Sequence, residues 1–304
     1  MTGPATGRAA ASAAGPGSAS DGVPGRVPGR AGPVRPAIRG ATLRHALHAE
    51  WTKLRTLRSS AWLLLGLAVL MAGVGAAVTG SVDTSACPSP AGCQEDTPRL
   101  SLSGVQIAQV AAVVLGVLTI GGEFSTGTIS ATLAAVPRRA LVLLAKATVI
   151  TGTVAVAASA GVLGSLAAGR LLLPGQGFTA ANGYPPLSLA DGPTLRAASG
   201  TVLYLVLVAL LSFGAGTALR DTAGAITGVL ALLWLAPVIT RVVGDEHWRD
   251  RLEKIAPMPA GLSIQYTKAL DRLAIGPWAG LGVLAAYAAA ALLLGGALFV
   301  TRDP

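Results

Sequence analysis

Six stretches of this 304-residue chain contain no Asp, Glu, Lys or Arg, and each is long enough to cross a lipid bilayer. About 20 apolar residues in a helix span the roughly 30 Å of hydrocarbon, and backbone groups in lipid must pair within their own segment, which favours helices. Only 12% of the residues are charged, against about 25% in soluble domains. The sequence therefore predicts an all-α integral membrane protein with six transmembrane helices. These are Ala61–Val82, Leu100–Gly122, Ala147–Gly169, Ala197–Leu219, Thr222–Thr240 and Leu273–Thr301.

The predicted spans divide the chain into three parts. Residues 1–40 are rich in Gly, Pro, Ala, Ser and Arg and have no apolar period, which indicates a disordered cytoplasmic tail. Residues 41–60 have a helical period and precede the first span. Residues 61–304 hold all six apolar stretches and are predicted to form the transmembrane domain.

An amphipathic helix is predicted for residues 41–60. Its apolar stripe includes Trp51, while Lys53 and Arg55 occupy other faces, a pattern typical of a helix in the membrane interface. Glu50 breaks the stripe, because it lies on the apolar side, where an acid is poorly placed against lipid. Two interpretations are open. Glu50 meets a basic partner elsewhere in the protein, or the helix is rotated or frayed and Glu50 pairs with Lys53 or Arg55.

The distribution of basic residues predicts the orientation. Nine of the 23 Lys and Arg residues precede Ser60. With the N-terminus inside, the cytoplasmic segments hold 14 basic residues and the outer loops hold nine. This asymmetry favours a multi-pass protein of the cell membrane with both termini cytoplasmic. It also fits attraction to anionic lipid better than nucleic-acid binding.

Two cysteines fall in the first predicted outer loop, within the segment C-P-S-P-A-G-C. Cys87 and Cys93 would face an oxidising compartment, where a disulfide between them is one possibility and two free thiols are the other. Because the chain has no other cysteine and no histidine nearby, a metal site is not predicted.

The motifs of ATP-binding and hydrolytic enzymes are absent from the sequence. The chain has no G-x-x-x-x-G-K-[ST] loop to bind ATP phosphates, and it has neither G-x-S-x-G nor H-E-x-x-H. We therefore expect no enzyme activity and no cofactor in this chain. The six apolar stretches also lack the acids or histidines that usually couple transport to an ion gradient. The energy for any transport is then expected from outside the chain.

A short polar segment, Glu123–Lys146, separates the second and third apolar stretches. Such a segment either turns the chain round or binds a partner. Ser125, Thr126 and Thr128 can cap a short helix that begins near Gly127. Pro137 would limit the other end of that helix.

Three motifs resemble those of bacterial ABC exporter permeases of the type-2 exporter superfamily. The segment H-A-E-W-T-K-L-R-T-L-R-S-S-A-W precedes the first span, and G-G-E-F-S-T-G-T-I-S-A-T-L-A-A-V-P-R-R follows the second. A-L-R-D-T-A-G-A-I lies between the fourth and fifth spans. The resemblance extends from about Ala41 to the C-terminus. It implies a half-transporter that pairs with a second permease subunit, as a homodimer or heterodimer, and with two copies of a separate ATPase that binds ATP and Mg²⁺.

The resemblance also implies roles for individual residues. The helix before the first span and the loop after the second would receive the movement of the ATPase. Short or re-entrant helices are implied in the last outer loop, where Pro257–Gln265 fits. Arg138 and Arg139, at the end of the loop after the second span, are equally explained as a cytoplasmic topology signal. The residues implied in coupling are Glu123, Ser125, Thr126, Gly127, Thr128, Arg138 and Arg139.

The sequence thus leads to the hypothesis of a membrane-spanning permease subunit of an ATP-driven exporter. The alternative is an ATP-independent secondary carrier or a membrane scaffold protein.

Overall fold

Helices make up almost all of the chain that the computed structural model describes, and no strand occurs within it. The described ranges are residues 43–56, 58–84, 95–129, 139–242 and 246–301. The predictions for residues 1–40, for Cys87 and Cys93, and for Arg138 lie outside these ranges.

Ten α-helices occur in the described ranges, and they are numbered here in chain order. They are α1 (Leu43–Thr56), α2 (Arg58–Ser81), α3 (Thr97–Ser101), α4 (Val105–Ser125), α5 (Arg139–Leu172), α6 (Gly192–Leu219), α7 (Thr222–Val242), α8 (Glu246–Ile255), α9 (Pro257–Leu262) and α10 (Pro277–Thr301). A single 3₁₀ turn joins α3 to α4, so these two helices form one continuous rod.

When α3 and α4 are counted as one helix, six helices are long and apolar enough to cross a membrane, which confirms the predicted number of candidate spans. They are α2, α3–α4, α5, α6, α7 and α10. The helices extend beyond the charge-free stretches, because a helix continues until a turn or a capping residue ends it. As a result α4 includes Glu123, and α5 includes Lys146. The six apolar stretches themselves contain no acid, but the helices that hold two of them continue into charged residues.

Two helices form the centre of the bundle. In the most apolar part of α3–α4, 67% of the residues are buried, and in α6 the fraction is 61%, against 17% in α2. Helix α6 packs against α4 on one side and α10 on another, while α2 packs against α5. The outward faces of α2, α7 and α10 are therefore apolar and uncovered, as lipid contact requires.

The helix ends group as six alternating spans require. The end of α4, the start of α5 and helix α1 meet at one end of the bundle, where Lys146 contacts Glu50 and Glu123. The α6–α7 turn lies at the same end, because Arg220 stacks on the ring of Phe124 at 5.2 Å. We call this end the α1 end.

The turn between α6 and α7 is short, and its two residues explain why the chain reverses there. Arg220 adopts a left-handed conformation (φ 55°) that ends α6. Asp221 then caps α7 by accepting a hydrogen bond from the backbone N–H of Gly224 at 2.6 Å. These residues lie within the motif A-L-R-D-T-A-G-A-I.

The opposite end of the bundle holds the short helix that was predicted for Pro257–Gln265. Helix α9 and the 3₁₀ turn Ser263–Gln265 cover this segment, and Met258 and Ile264 are buried against the bundle. The Asp96 carboxylate holds Thr267 and Lys268, just after this segment, in place. It accepts hydrogen bonds from the backbone N–H of Thr267 at 2.6 Å, from the Thr267 hydroxyl at 2.8 Å and from the N–H of Lys268 at 3.2 Å.

Helices α6 and α10 approach each other closely through glycine. A methyl group built on Gly295 would lie 2.5 Å from the carbonyl oxygen of Gly214, and one built on Gly214 would lie 2.5 Å from the backbone of Ala291. Both contacts are with backbone, which cannot rotate away. The α6–α10 contact therefore requires the absence of a side chain at these positions.

Replacing Gly214 with Val should destabilise the protein by about 1–3 kcal/mol, because the added side chain forces α6 and α10 apart. Thermal unfolding in detergent measures the loss. Gly282→Val in α10 is the matched control, since nothing lies within 4 Å of a methyl group at Gly282. Equal losses in the two variants would show that the close approach contributes nothing.

Candidate functional site

Helix α1 turns its acid toward the bundle. Ala46 and Glu50, one turn apart, are buried, while Leu54 is partly buried and Trp51 on the outer side is 49% exposed. Relative to the predicted apolar stripe, the helix is rotated so that Glu50 faces the other helices. Both interpretations of Glu50 hold, because it pairs with Lys53 in its own helix and with Lys146 in α5.

Four charged side chains from three helices form a closed ring of alternating sign, which we call the charge ring. Lys146 Nζ donates to Glu50 Oε2 at 2.7 Å and to Glu123 Oε1 at 2.8 Å. Lys53 Nζ donates to Glu123 Oε1 at 2.9 Å and to Glu50 Oε1 at 3.2 Å. Each ammonium thus bridges both carboxylates, and the ring is neutral as a whole.

Burial decides how much the charge ring matters. The side chain of Lys146 is only 1% exposed and that of Glu50 is 8% exposed, whereas Lys53 at the rim is 44% exposed. A buried charge without a partner is far less stable than the same charge in water, so Lys146 requires both carboxylates. We therefore regard Lys146 as the centre of the ring and Lys53 as its solvent-facing closure.

The ring also affects the titration of Lys53, which lies outside the long helices. Partial burial lowers the pKa of Lys53, but its hydrogen bond to Glu123 and the negative charges of Glu50 and Glu123 outweigh that effect. The net result is a pKa of Lys53 above its ordinary value. Lys53 therefore carries its positive charge throughout the physiological pH range.

A cleft of about 550 Å³ opens beside the charge ring. All four ring residues line it, together with the start of α2 and the second half of α4. Leu115 and Leu118 supply an apolar wall, and Ser59 and Ser60 supply hydroxyl groups. The cleft thus combines an apolar side with a charged floor, as binding sites for amphipathic molecules do.

The coupling segment implied by the sequence begins directly beside the ring. The hydroxyls of Ser125 and Thr126 both donate to the carbonyl oxygen of Gly122, so they help to end α4. Gly127 has a φ of +67° and turns the chain away from α4. The hydroxyls of Thr126 and Thr128 lie 2.9 Å apart. The short helix expected after Gly127 falls mostly in residues 130–138, outside the described ranges, and stays a prediction.

Arg139, the last residue of the implied segment, contacts the C-terminal end of α10. Its guanidinium donates to the carbonyl oxygens of Phe299 at 3.1 Å and Val300 at 3.3 Å. Carbonyl groups at a helix end lack partners within the helix, and a cation satisfies them favourably. The ring of Phe299 also meets that of Phe124 edge to face, with centroids 6.2 Å apart. The ends of α4, α5 and α10 are thereby joined.

The structure brings together some of the predicted site residues and not others. Glu50, Lys53 and Glu123 meet in the charge ring, while Trp51 and Arg55 point away from it and are exposed. Lys146 was not predicted as a site residue. Its signal in the sequence is its place as the single charge near the start of the third apolar stretch. Within the described residues, no group of three His, Cys, Asp or Glu side chains is arranged to hold a metal ion.

No protein-family model matches the chain, and no curated protein sequence matches it.

Proposed function

We propose that this chain is the membrane-spanning permease subunit of an ATP-driven exporter of the ABC type. A separate ATPase would bind ATP and Mg²⁺, and a second permease subunit would complete the transporter. The chain would lie in the cell membrane with both termini in the cytoplasm, and α1 would lie in the membrane interface. The charge ring is the observation that carries the proposal, because it links α1 to two of the six long helices.

The ring gives a physical route for the coupling. Moving α1 away from the bundle would break the contacts of Glu50 with Lys146 and of Lys53 with Glu123. Hydrogen bonds between charged groups contribute about 1.5–3 kcal/mol each. A push on α1, or on the chain leaving α4 at Gly127, is therefore passed to α4 and α5 rather than absorbed by a loose joint.

Glu123→Gln tests this coupling. It removes the charge that both ammonium groups share, and we expect the stimulation of ATP hydrolysis in the assembled transporter to fall about tenfold, the effect of one such hydrogen bond. The measurement is the rate of ATP hydrolysis by the ATPase that co-purifies with the tagged full-length chain. The rate with the Glu123→Gln chain is compared with the rate with the unaltered chain.

Glu253→Gln is the matched control, because Glu253 is a partly buried acid in α8. It should leave hydrolysis unchanged. Stimulation at the unaltered level in Glu123→Gln, in protein that is folded and co-purifies with the ATPase, would contradict the coupling role. Failure of any ATPase with a nucleotide-binding loop to co-purify would contradict the exporter itself.

A secondary carrier is the second candidate, and one observation favours it. Glu123 and Lys146 lie inside the long helices and line the cleft, and ionisable groups in such positions often couple transport to protons or ions. The carrier hypothesis expects the purified chain alone, in sealed vesicles, to move protons when a pH gradient is imposed. Vesicles that contain the purified chain without an ATPase and that remain impermeable to protons would contradict the carrier hypothesis.

A further inference from the structure

Helix α8 presents a row of exposed side chains on the side turned away from the bundle. Trp248, Arg251 and Ile255 lie three and four residues apart, so they share one face. Trp248 is 56% exposed and Ile255 is 62% exposed. Leu252, at the edge of this row, and Glu253, on the opposite side of the helix, are partly buried. Two large apolar side chains on a charged, exposed helix indicate a surface that something covers.

Helix α8 has three acidic and three basic residues, and the basic residue within the row, Arg251, is suited to phosphate. The guanidinium of Arg251 lies 5.8 Å from the ring of Trp248, between the two apolar side chains. Arg249 and Lys254 are exposed on the same helix. Within the described ranges none of these three cations forms an ion pair with an acid. Lys and Arg beside an apolar row are the pattern of helices that lie in a bilayer interface.

The position of α8 agrees with that pattern. It follows α7, whose last residue, Val242, is 82% exposed. Trp278, in the first turn of α10, is 59% exposed. Tryptophan is enriched at the boundary between hydrocarbon and headgroups. The ends of two candidate spans therefore mark the level of the headgroups next to α8.

We infer that the row Trp248, Arg251 and Ile255 binds the phospholipid headgroup layer at the end of the bundle opposite α1. Trp248 and Ile255 insert at the boundary with the acyl chains, and Arg251 binds lipid phosphate. Helix α8 is then a surface anchor. It fixes the depth of α9 relative to the membrane surface, because only Ala256 separates the two helices. This inference rests on the membrane insertion in the proposed function, but it does not depend on an ATPase.

Lipid-depth quenching of tryptophan fluorescence tests the inference. The full-length chain has five Trp residues, and replacing Trp51, Trp62, Trp234 and Trp278 with Phe leaves Trp248 alone. In vesicles of phosphatidylcholine and phosphatidylglycerol, bromine atoms near the headgroup end of the acyl chains should quench Trp248 emission about twofold, and bromines near the chain ends should quench it less. Arg251→Gln in the same background should weaken this quenching, whereas Asp250→Asn should not.

A variant that retains only Trp62, in the first span, separates the possible failures. Quenching of Trp62 without quenching of Trp248 overturns the inference and leaves membrane insertion standing. Protection of Trp248 that increases with protein density in the vesicle also overturns it, because a second copy would then cover α8. Loss of quenching at both positions would contradict insertion itself. Should the single-Trp chain fail to fold, Trp248→Phe in the otherwise unaltered protein must reduce the shallow-quenched emission, to which Trp51 and Trp278 still contribute; no reduction overturns the inference.

Discussion

Replacing Lys146 with Met is expected to lower the free energy of unfolding by about 3–5 kcal/mol, the cost of breaking a buried ion pair by removing one partner. Met has nearly the length of Lys, so the loss reflects charge rather than an empty volume. Without the ammonium, the carboxylates of Glu50 and Glu123 keep only Lys53, which is partly exposed at the rim of the ring. Thermal unfolding of the full-length protein in detergent measures the effect.

Neutralising the acids together with Lys146 should restore most of that stability. The triple variant Glu50→Gln, Lys146→Met, Glu123→Gln leaves no buried charge in the charge ring, and replacing a whole buried ionic network is often nearly neutral. Lys254→Met is the matched control, because Lys254 is exposed in α8 and surface substitutions usually change stability by less than about 0.5 kcal/mol. A Lys146→Met protein that unfolds at the unaltered temperature, or a triple variant no better than the single one, would contradict the role of Lys146.

Replacing Asp96 with Ala should cost about 2–4 kcal/mol, since several donors lose their acceptor at once and each buried unpaired donor carries a penalty. Its carboxylate caps α3 through the N–H of Arg99 at 3.3 Å. It also accepts three hydrogen bonds from Thr267 and Lys268, 171 and 172 residues away in the chain. Thermal unfolding and the rate of proteolysis near Thr267 report the two parts of the loss.

Asp191 offers a control that caps a helix and does little else. It accepts from the backbone N–H of Thr194 at 3.3 Å and from its hydroxyl at 2.8 Å, both within the first turn of α6. Asp191→Ala should therefore cost about 1 kcal/mol, as is usual for the loss of a cap. If both variants lose the same stability, the long-range bonds of Asp96 contribute nothing.

Much of the fold follows from local properties of the sequence. A stretch such as Thr222–Thr240 predicts its own helix, because its length and lack of charge are enough to favour a membrane span. The short helix at Pro257–Gln265 was also predicted, though from resemblance to a known family. The exact ends were less predictable, because α4 and α5 continue past the apolar stretches into charged residues.

The candidate site was only partly predictable. Glu50 stood out because an acid interrupts an apolar stripe, and the sequence indicated that it needs a cation. Different helix arrangements would bring either Lys53 or Lys146 to such an acid. The sequence alone does not determine which of the two arrangements forms. The structure chooses both, since α1 is rotated enough for Glu50 to bridge its own helix and α5.

The sequence by itself determined that this chain is helical and has six segments suited to lipid, because the cost of placing charge and unpaired backbone in hydrocarbon depends on each segment alone. It also marked Glu50 as unusual, because an acid interrupts an apolar stripe. Only the tertiary structure decided that Glu50 and Glu123 share Lys146, which lies 96 residues from Glu50 and 23 from Glu123 in the chain. The rotation of each helix about its axis decides which charges meet. Packing against neighbouring helices sets that rotation, through contacts such as that of Gly214 with Gly295. Such contacts join segments that are distant in the chain, so no single segment encodes them.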